Sequence, residues 1–142
     1  MANAEFHEVL PIDQKRLFDV IVRYEDYPEF VDGCRKVKVS RPDGKKVRVV
    51  YHVNVLSKDF TYTLDHFEDS KTGKVEWTLI ESDLFKKNIG RWEIRSVGPG
   101  KTDVLYTIDV EFKIPVPGFI LNRLVKTSLP VLVKNFEKKA SA

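Results

Sequence analysis

From Cys34 to Ile114 the apolar residues recur at every second position, and no other feature narrows the fold of this chain so far. In "DVLYTIDVEFKI", Val104, Tyr106, Ile108, Val110, Phe112 and Ile114 share one face, while Thr107, Asp109, Glu111 and Lys113 take the other. "VRVVYHVNV" aligns Val47, Val49, Tyr51, Val53 and Val55, and "FTYTLDH" aligns Phe60, Tyr62, Leu64 and His66. "KVKVS", "VEWTL" and "GRWEI" alternate in the same way, with Val75, Trp77 and Leu79 together and Trp92 beside Ile94. Between the runs lie turn signals: "PDG" at Pro42 to Gly44, "SKD", "SKTG" and "GPGK". Successive side chains of a strand point to opposite faces, so this pattern calls for an antiparallel, hairpin-linked sheet with one solvated side.

The flanking segments switch to helical spacing. Glu5 to Leu10 reads as a first strand stopped by Pro11, and Asp13 then opens the amphipathic stretch "DQKRLFDVIVRY" with Leu17, Val20, Ile21 and Tyr24 on one face. In "DYPEF", Asp26 is placed to cap a second short helix with Glu29 reaching back, and Gly33 ends it. The chain closes with "VPGFILNRLVKTSLPVLVKNFEKK", which reads as one long helix. On a wheel of about 100° per residue, Leu121, Leu124, Val125, Ser128, Leu129, Val131, Leu132 and Phe136 make one broad apolar face, with Pro130 on the polar side. The fold class is therefore α+β, in one domain spanning residues 1–142: a curved seven-stranded antiparallel sheet around a long C-terminal helix, with two short helices after the first strand. The terminal helix is the only element long enough to cover the concave face.

Composition removes several function classes. The 24 Lys+Arg against 21 Asp+Glu leave a net charge of +3, scattered along the chain, which does not call for nucleic acid. Every apolar run is interrupted by charge before it reaches membrane-spanning length. The first residues, "MANAEFHEVLP", lack the pattern of a secretory signal, and Cys34 stands alone, so a cytoplasmic protein without disulfides is expected. The three histidines, His7, His52 and His66, are far apart and no Cys-x-x-Cys occurs, so no metal or other cofactor is expected. "GPGK" lacks the spacing of a phosphate-binding loop.

What the inward face does contain is large amphipathic rings: Tyr51, Tyr62, His66, Trp77, Trp92 and Tyr106. Buried hydroxyls and indole N–H groups need partners, so a tightly packed core uses them sparingly. Together with an unusually wide apolar stripe on the last helix they suggest a cavity with a few polar groups to orient a guest.

"YEDYPEFVDGC" after the first helix, "GRWEI" in the penultimate strand and "TIDVEFKIPVPGFILNRL" entering the last helix together resemble the START-like superfamily, in its coenzyme Q-binding/polyketide-cyclase branch of bacterial and mitochondrial proteins. The resemblance spans nearly the whole chain. It implies a helix-grip fold and a hydrophobic-ligand carrier, typically for a quinone or another isoprenoid or acyl lipid, with no redox chemistry of its own. The two prolines of "KIPVPGF" depart from the usual pattern and stiffen the entry to the helix.

Three readings follow. In the first, Phe60, Tyr62, His66, Trp77, Trp92, Tyr106, Ile108, Leu124, Ser128 and Leu132 line a site for a hydrophobic small molecule or lipid between sheet and helix. Val116, Phe119 and Ile120 at the loop–helix junction would touch a membrane transiently, making a cytoplasmic protein peripheral at the inner membrane. In the second, the chain is a polyketide cyclase or dehydratase with His66 as base. In the third, it is a toxin-like module that associates with the ribosome, as some bacterial relatives in the branch are.

Overall fold

The computed structural model describes residues 2–41, 45–55, 57–123 and 128–141. Seven strands form one antiparallel sheet: β1 (Ala2–Leu10), β2 (Cys34–Ser40), β3 (Lys46–Val55), β4 (Lys58–Asp69), β5 (Lys74–Ser82), β6 (Phe85–Gly98) and β7 (Lys101–Phe112), in the spatial order β1-β7-β6-β5-β4-β3-β2. Every neighbour after β2 is joined by a hairpin, whereas β1 returns to pair with β7, from Ala2 opposite Val110 to Leu10 opposite Thr102. The first and second strands therefore occupy opposite edges of the sheet.

The segment that joins those edges is helical: α1 (Gln14–Ile21), a 3-10 turn at Tyr24–Asp26 and α2 (Tyr27–Phe30). The Asp13 carboxylate accepts from the Arg16 backbone N–H at 3.2 Å, which satisfies one of the orphan donors of the first turn. The second cap expected from sequence does not form. Asp26 makes no side-chain capping bond, and Glu29 instead pairs with Lys139 at 3.1 Å. With Pro28 removing one N–H and only four residues in the helix, there is little for a capping box to satisfy. Gly33 follows at φ 81°, a left-handed turn that a side chain rarely adopts, and aims the chain into β2.

At the other terminus the helix appears as α3 (Gly118–Arg123) and α4 (Leu129–Ser141). Leu124 and Val125 lie outside the described residues. The buried seam of α4 is Leu129, Val133, Phe136 and Ala140, which packs on α1, β1 and α2. Val133, fully buried, was left off the apolar face read from the sequence, whereas Ser128 and Val131, assigned to it, are exposed to solvent. The helix is rotated relative to that reading because α1, invisible to a wheel drawn for α4 alone, takes one flank of the stripe.

The alternation holds along the sheet. Val47, Val49, Tyr51 and Val53 of β3, Val75 and Trp77 of β5, Trp92 and Ile94 of β6, and Val104, Tyr106 and Val110 of β7 are all buried on the concave side. On the convex side one carboxylate is nearly buried: Asp65, held by two bonds from the Arg48 guanidinium at 2.8 and 3.0 Å. That contact holds the Asp65 carboxyl below the usual carboxylate range. Among the described residues no helix is long and apolar enough to cross a membrane.

Candidate functional site

Two cavities lie between the sheet and α4. The inner one has a volume of about 160 Å³ and is lined from α2, the strands β2 to β7 and α4. The outer one, about 550 Å³, runs along β7 beneath Ser128, Leu129, Val131, Leu132 and Asn135. They share Val31, Asp32, Tyr62, Asn88, Tyr106, Ile108 and Leu132, and this common lining is the neck between the two chambers. The width of the apolar stripe on the terminal helix is thus explained by two duties. One flank closes the core against α1, and the other lines the outer chamber.

Rings brace the inner chamber. Tyr51 stacks on Tyr62 with centroids 4.9 Å apart, Trp92 meets Tyr106 edge-on at 4.7 Å, and Phe136 meets Trp92 at 5.0 Å and Tyr27 at 5.2 Å. Trp77 reaches across to β6 because Gly90 stands there. A Cβ on Gly90 would lie 2.4 Å from Cζ2 of Trp77 and 2.4 Å from the Thr107 carbonyl. The β5–β6 ladder runs from Lys74 opposite Glu93 to Trp77 opposite Gly90, and Asn88 lies two residues past its end. There the Trp77 indole N–H donates to the Asn88 side-chain carbonyl at 2.9 Å.

The other polar groups follow from burial. Desolvation depresses His66 to a pKa of about 3, so the imidazole is neutral at ordinary pH. Its Nε2 shares a hydrogen bond of 2.8 Å with the Tyr51 hydroxyl, its ring lies against Tyr24 at 4.4 Å, and its Nδ1 is buried without a partner. Burial raises the Tyr51, Tyr62 and Tyr106 phenols, which stay protonated. The Cys34 thiol, also in the inner wall, is pushed up to about 11 by desolvation and remains a thiol. The hydroxyls of Tyr62 and Tyr106 have no hydrogen-bond partner among the described residues.

Of the residues singled out in the sequence, Tyr62, His66, Trp77, Trp92, Tyr106, Ile108 and Leu132 come together around the inner chamber. Ser128 borders the outer one. Phe60 is half-buried against the core and lines neither chamber, because β4 carries it past the end of the cavity. Leu124 lies outside the described residues. Val116 and Ile120 are half-buried while Phe119 is 72% exposed. Sequence reasoning missed Asn88, Val31, Asp32 and Phe136 as cavity residues. Asn88 falls in "LFKKNIG", where the alternation is hidden by flanking lysines, and Val31 sits in a loop whose packing a period-two pattern does not reach. Among the described residues no group of His, Cys, Asp and Glu side chains is arranged to hold a metal ion.

Known proteins share this arrangement. The START superfamily protein of Mycobacterium smegmatis superposes with a TM-score of 0.83 at 19% identity, over 99% of this chain and 98% of that one. The Zhui aromatase/cyclase of Streptomyces sp. R1128 superposes with a TM-score of 0.71 at 16% identity, over 98% and 87% of the two chains. In sequence, the mitochondrial coenzyme Q-binding protein COQ10 of Dictyostelium discoideum is 23% identical over 133 residues, which is 91% of this chain. This chain spans 63% of the length of that relative. The model of the family described as polyketide cyclase/dehydrase and lipid transport matches residues 10–137, nearly the whole chain. The fold shared with these structures and the family match over most of the chain agree, and the chain belongs to the polyketide cyclase/dehydrase and lipid transport family.

Proposed function

We propose that this protein is a carrier that holds a hydrophobic small molecule, a quinone or another isoprenoid lipid, between the sheet and α4. The observation that supports it most is the pair of adjoining chambers between sheet and helix. The outer one, at about 550 Å³, is within the size range of small-molecule sites and is walled mainly by apolar side chains. A hydrocarbon tail placed there gains about 0.8 kcal/mol per buried CH₂, which supplies tight binding without covalent chemistry. Tyr62, His66, Trp77, Trp92, Tyr106 and Ile108 would surround the head of the guest, and Leu132 and Ser128 its tail.

The chemistry of the inner chamber favours holding over turnover. A cyclase would use His66 as a base, but an imidazole whose pKa is depressed to about 3 is a weak one, and its Nε2 is already engaged by Tyr51. Cys34, held as a thiol, is a poor nucleophile toward an electrophilic guest. Collection of a lipid would place Phe119, with Val116 and Ile120 behind it, against a bilayer surface. Such contact makes the protein peripheral at a membrane rather than embedded in it.

Native mass spectrometry with lipid extraction, on protein purified from its own host, tests the reading. A co-purifying isoprenoid or quinone of defined mass is the expected result. Protein that is empty and also refuses added quinone would refute the carrier reading and return weight to catalysis by the cyclase route.

A further inference from the structure

The neck between the chambers carries a hydrogen-bonding group of fixed polarity. Asn88 is 4% exposed, faces the concave side from β6, and lines both cavities. A primary amide is ambiguous in principle, since its oxygen accepts and its nitrogen donates, and it can turn over to suit a guest. Here the ambiguity is removed by Trp77. An indole N–H can only donate, so the oxygen of Asn88 must face it, and the 2.9 Å contact is to Oδ1. The opposite atom, Nδ2, makes no hydrogen bond among the described residues, yet it is not among the sealed-off polar atoms. It opens on the neck. Gly90 completes the device, because any side chain there would drive Trp77 off the position from which it orients the amide.

We propose that Asn88, oriented by Trp77 across Gly90, is the specificity-determining residue for the head of the guest, and that it selects a head bearing a hydrogen-bond acceptor, above all a carbonyl. The Tyr62 and Tyr106 hydroxyls flank the same neck and can turn to donate to the same oxygen. Phenols rotate to suit their partner, whereas the Asn88 amide cannot, so the amide sets the selection. A head that only donates finds no partner in Nδ2, whereas an acceptor takes its hydrogen bond. The inner chamber, at about 160 Å³, matches the scale of an apolar void that accepts one benzene-sized ring. The guest would therefore enter ring first, with its carbonyl at the neck and its tail along the outer chamber. This inference rests on the carrier reading above.

Displacement of the neutral fluorescent probe N-phenyl-1-naphthylamine from the full chain measures guests on one scale. Hexanophenone and hexylbenzene form the test pair, since they have similar chain length and differ chiefly by one carbonyl oxygen. The wild-type protein should prefer the ketone at least tenfold, and Asn88→Leu should reduce that ratio of affinities to below threefold. Trp77→Phe keeps the ring and frees the amide, and should also reduce the preference. A wild-type preference under twofold overturns the proposal without recourse to any variant, and so does a preference that survives in Asn88→Leu. If neither the probe nor either guest binds, the carrier reading itself fails. If hydrocarbons bind and the ketone is not preferred, only the present inference fails. Ranking a one-isoprene benzoquinone against a linear triketone then distinguishes the two sources of such a head, tighter binding of the first assigning it to a quinone ring and of the second to a polyketide chain.

Discussion

Acid should destabilise this protein through His66, and the size of the effect can be worked from its surroundings. The imidazole is buried under the Tyr24 ring at 4.4 Å, touches Trp77 at 6.0 Å, and bonds Tyr51 through Nε2. Desolvation lowers its folded pKa to about 3 from an ordinary 6.5, against a smaller opposing pull from Asp65. Because the folded value lies below the unfolded one, the unfolded chain takes up a proton first as pH falls. Stability from this group is therefore complete above pH 6.5 and declines as the pH drops toward 3. Between pH 8 and pH 5 the loss is about 2 kcal/mol, from about 1.4 kcal/mol per pH unit below the unfolded pKa. That figure is insensitive to the folded pKa so long as it stays near or below about 4, since the folded imidazole is then neutral throughout the window. Urea unfolding of wild type and His66→Gln, followed by tryptophan emission at both pH values, isolates the term. Glutamine keeps a polar partner for Tyr51 and cannot titrate, while every other titratable group is common to both proteins. The wild type should lose about 2 kcal/mol more than the variant across the window. Equal losses would mean that His66 gains its proton in the folded state as readily as in the unfolded one, and the description of a dry, neutral imidazole would be wrong.

Three further outcomes are expected. Phe136→Ala removes a 2% exposed ring that touches Tyr27, Phe30 and Trp92, and should lower the unfolding free energy by about 3–5 kcal/mol in chemical denaturation. Gly90→Ala forces a Cβ against Trp77 and should cost about 1–3 kcal/mol, with a shift in tryptophan emission that a remote surface glycine substitution lacks. Phe119→Ser alters a 72% exposed ring, so thermal stability should stay within about 0.5 kcal/mol while flotation with liposomes falls; unchanged flotation would remove α3 from the membrane-contact reading.

The architecture was legible because its dominant signal is periodic and redundant. Six runs of alternating residues, each bounded by turn chemistry, leave little freedom in strand number or in which face is buried, and Val47, Tyr51, Trp77, Trp92 and Tyr106 all point inward as the alternation requires. The cavity was legible only as a tendency. Rings with polar tips mark a wall that is not packed like an ordinary core, but they do not say which of them face space. Phe60 and Tyr62 share a face of β4 and are equally good candidates by pattern, yet only Tyr62 lines the chambers. Distance along a curved strand decides this, and periodicity carries no such coordinate. Asn88 was illegible for a different reason. Its role depends on the indole of Trp77, eleven residues away and on a neighbouring strand, and no local pattern encodes that meeting.

The same contrast explains how a void survives here. Aliphatic side chains around a space of about 160 Å³ would relax into it. Aromatic rings resist such collapse because each has few torsions and is held by its neighbours. Tyr51 is pinned by Tyr62 and by the bond to His66, Trp77 by Asn88 and the flat backbone at Gly90, and Trp92 between Tyr106 and Phe136. The hydrogen bonds that fix these rings also consume their polar tips in pairs, as Tyr51 with His66 and Trp77 with Asn88. Among the described residues, the groups without a hydrogen-bond partner at the neck are the amide nitrogen of Asn88, the hydroxyls of Tyr62 and Tyr106 and the exposed carboxylate of Asp32. The frame that keeps the chamber open is thus also what sorts its polarity, pairing the polar tips of Tyr51, His66 and Trp77 and leaving the Asn88 amide nitrogen as a donor of fixed direction where the two chambers share their lining.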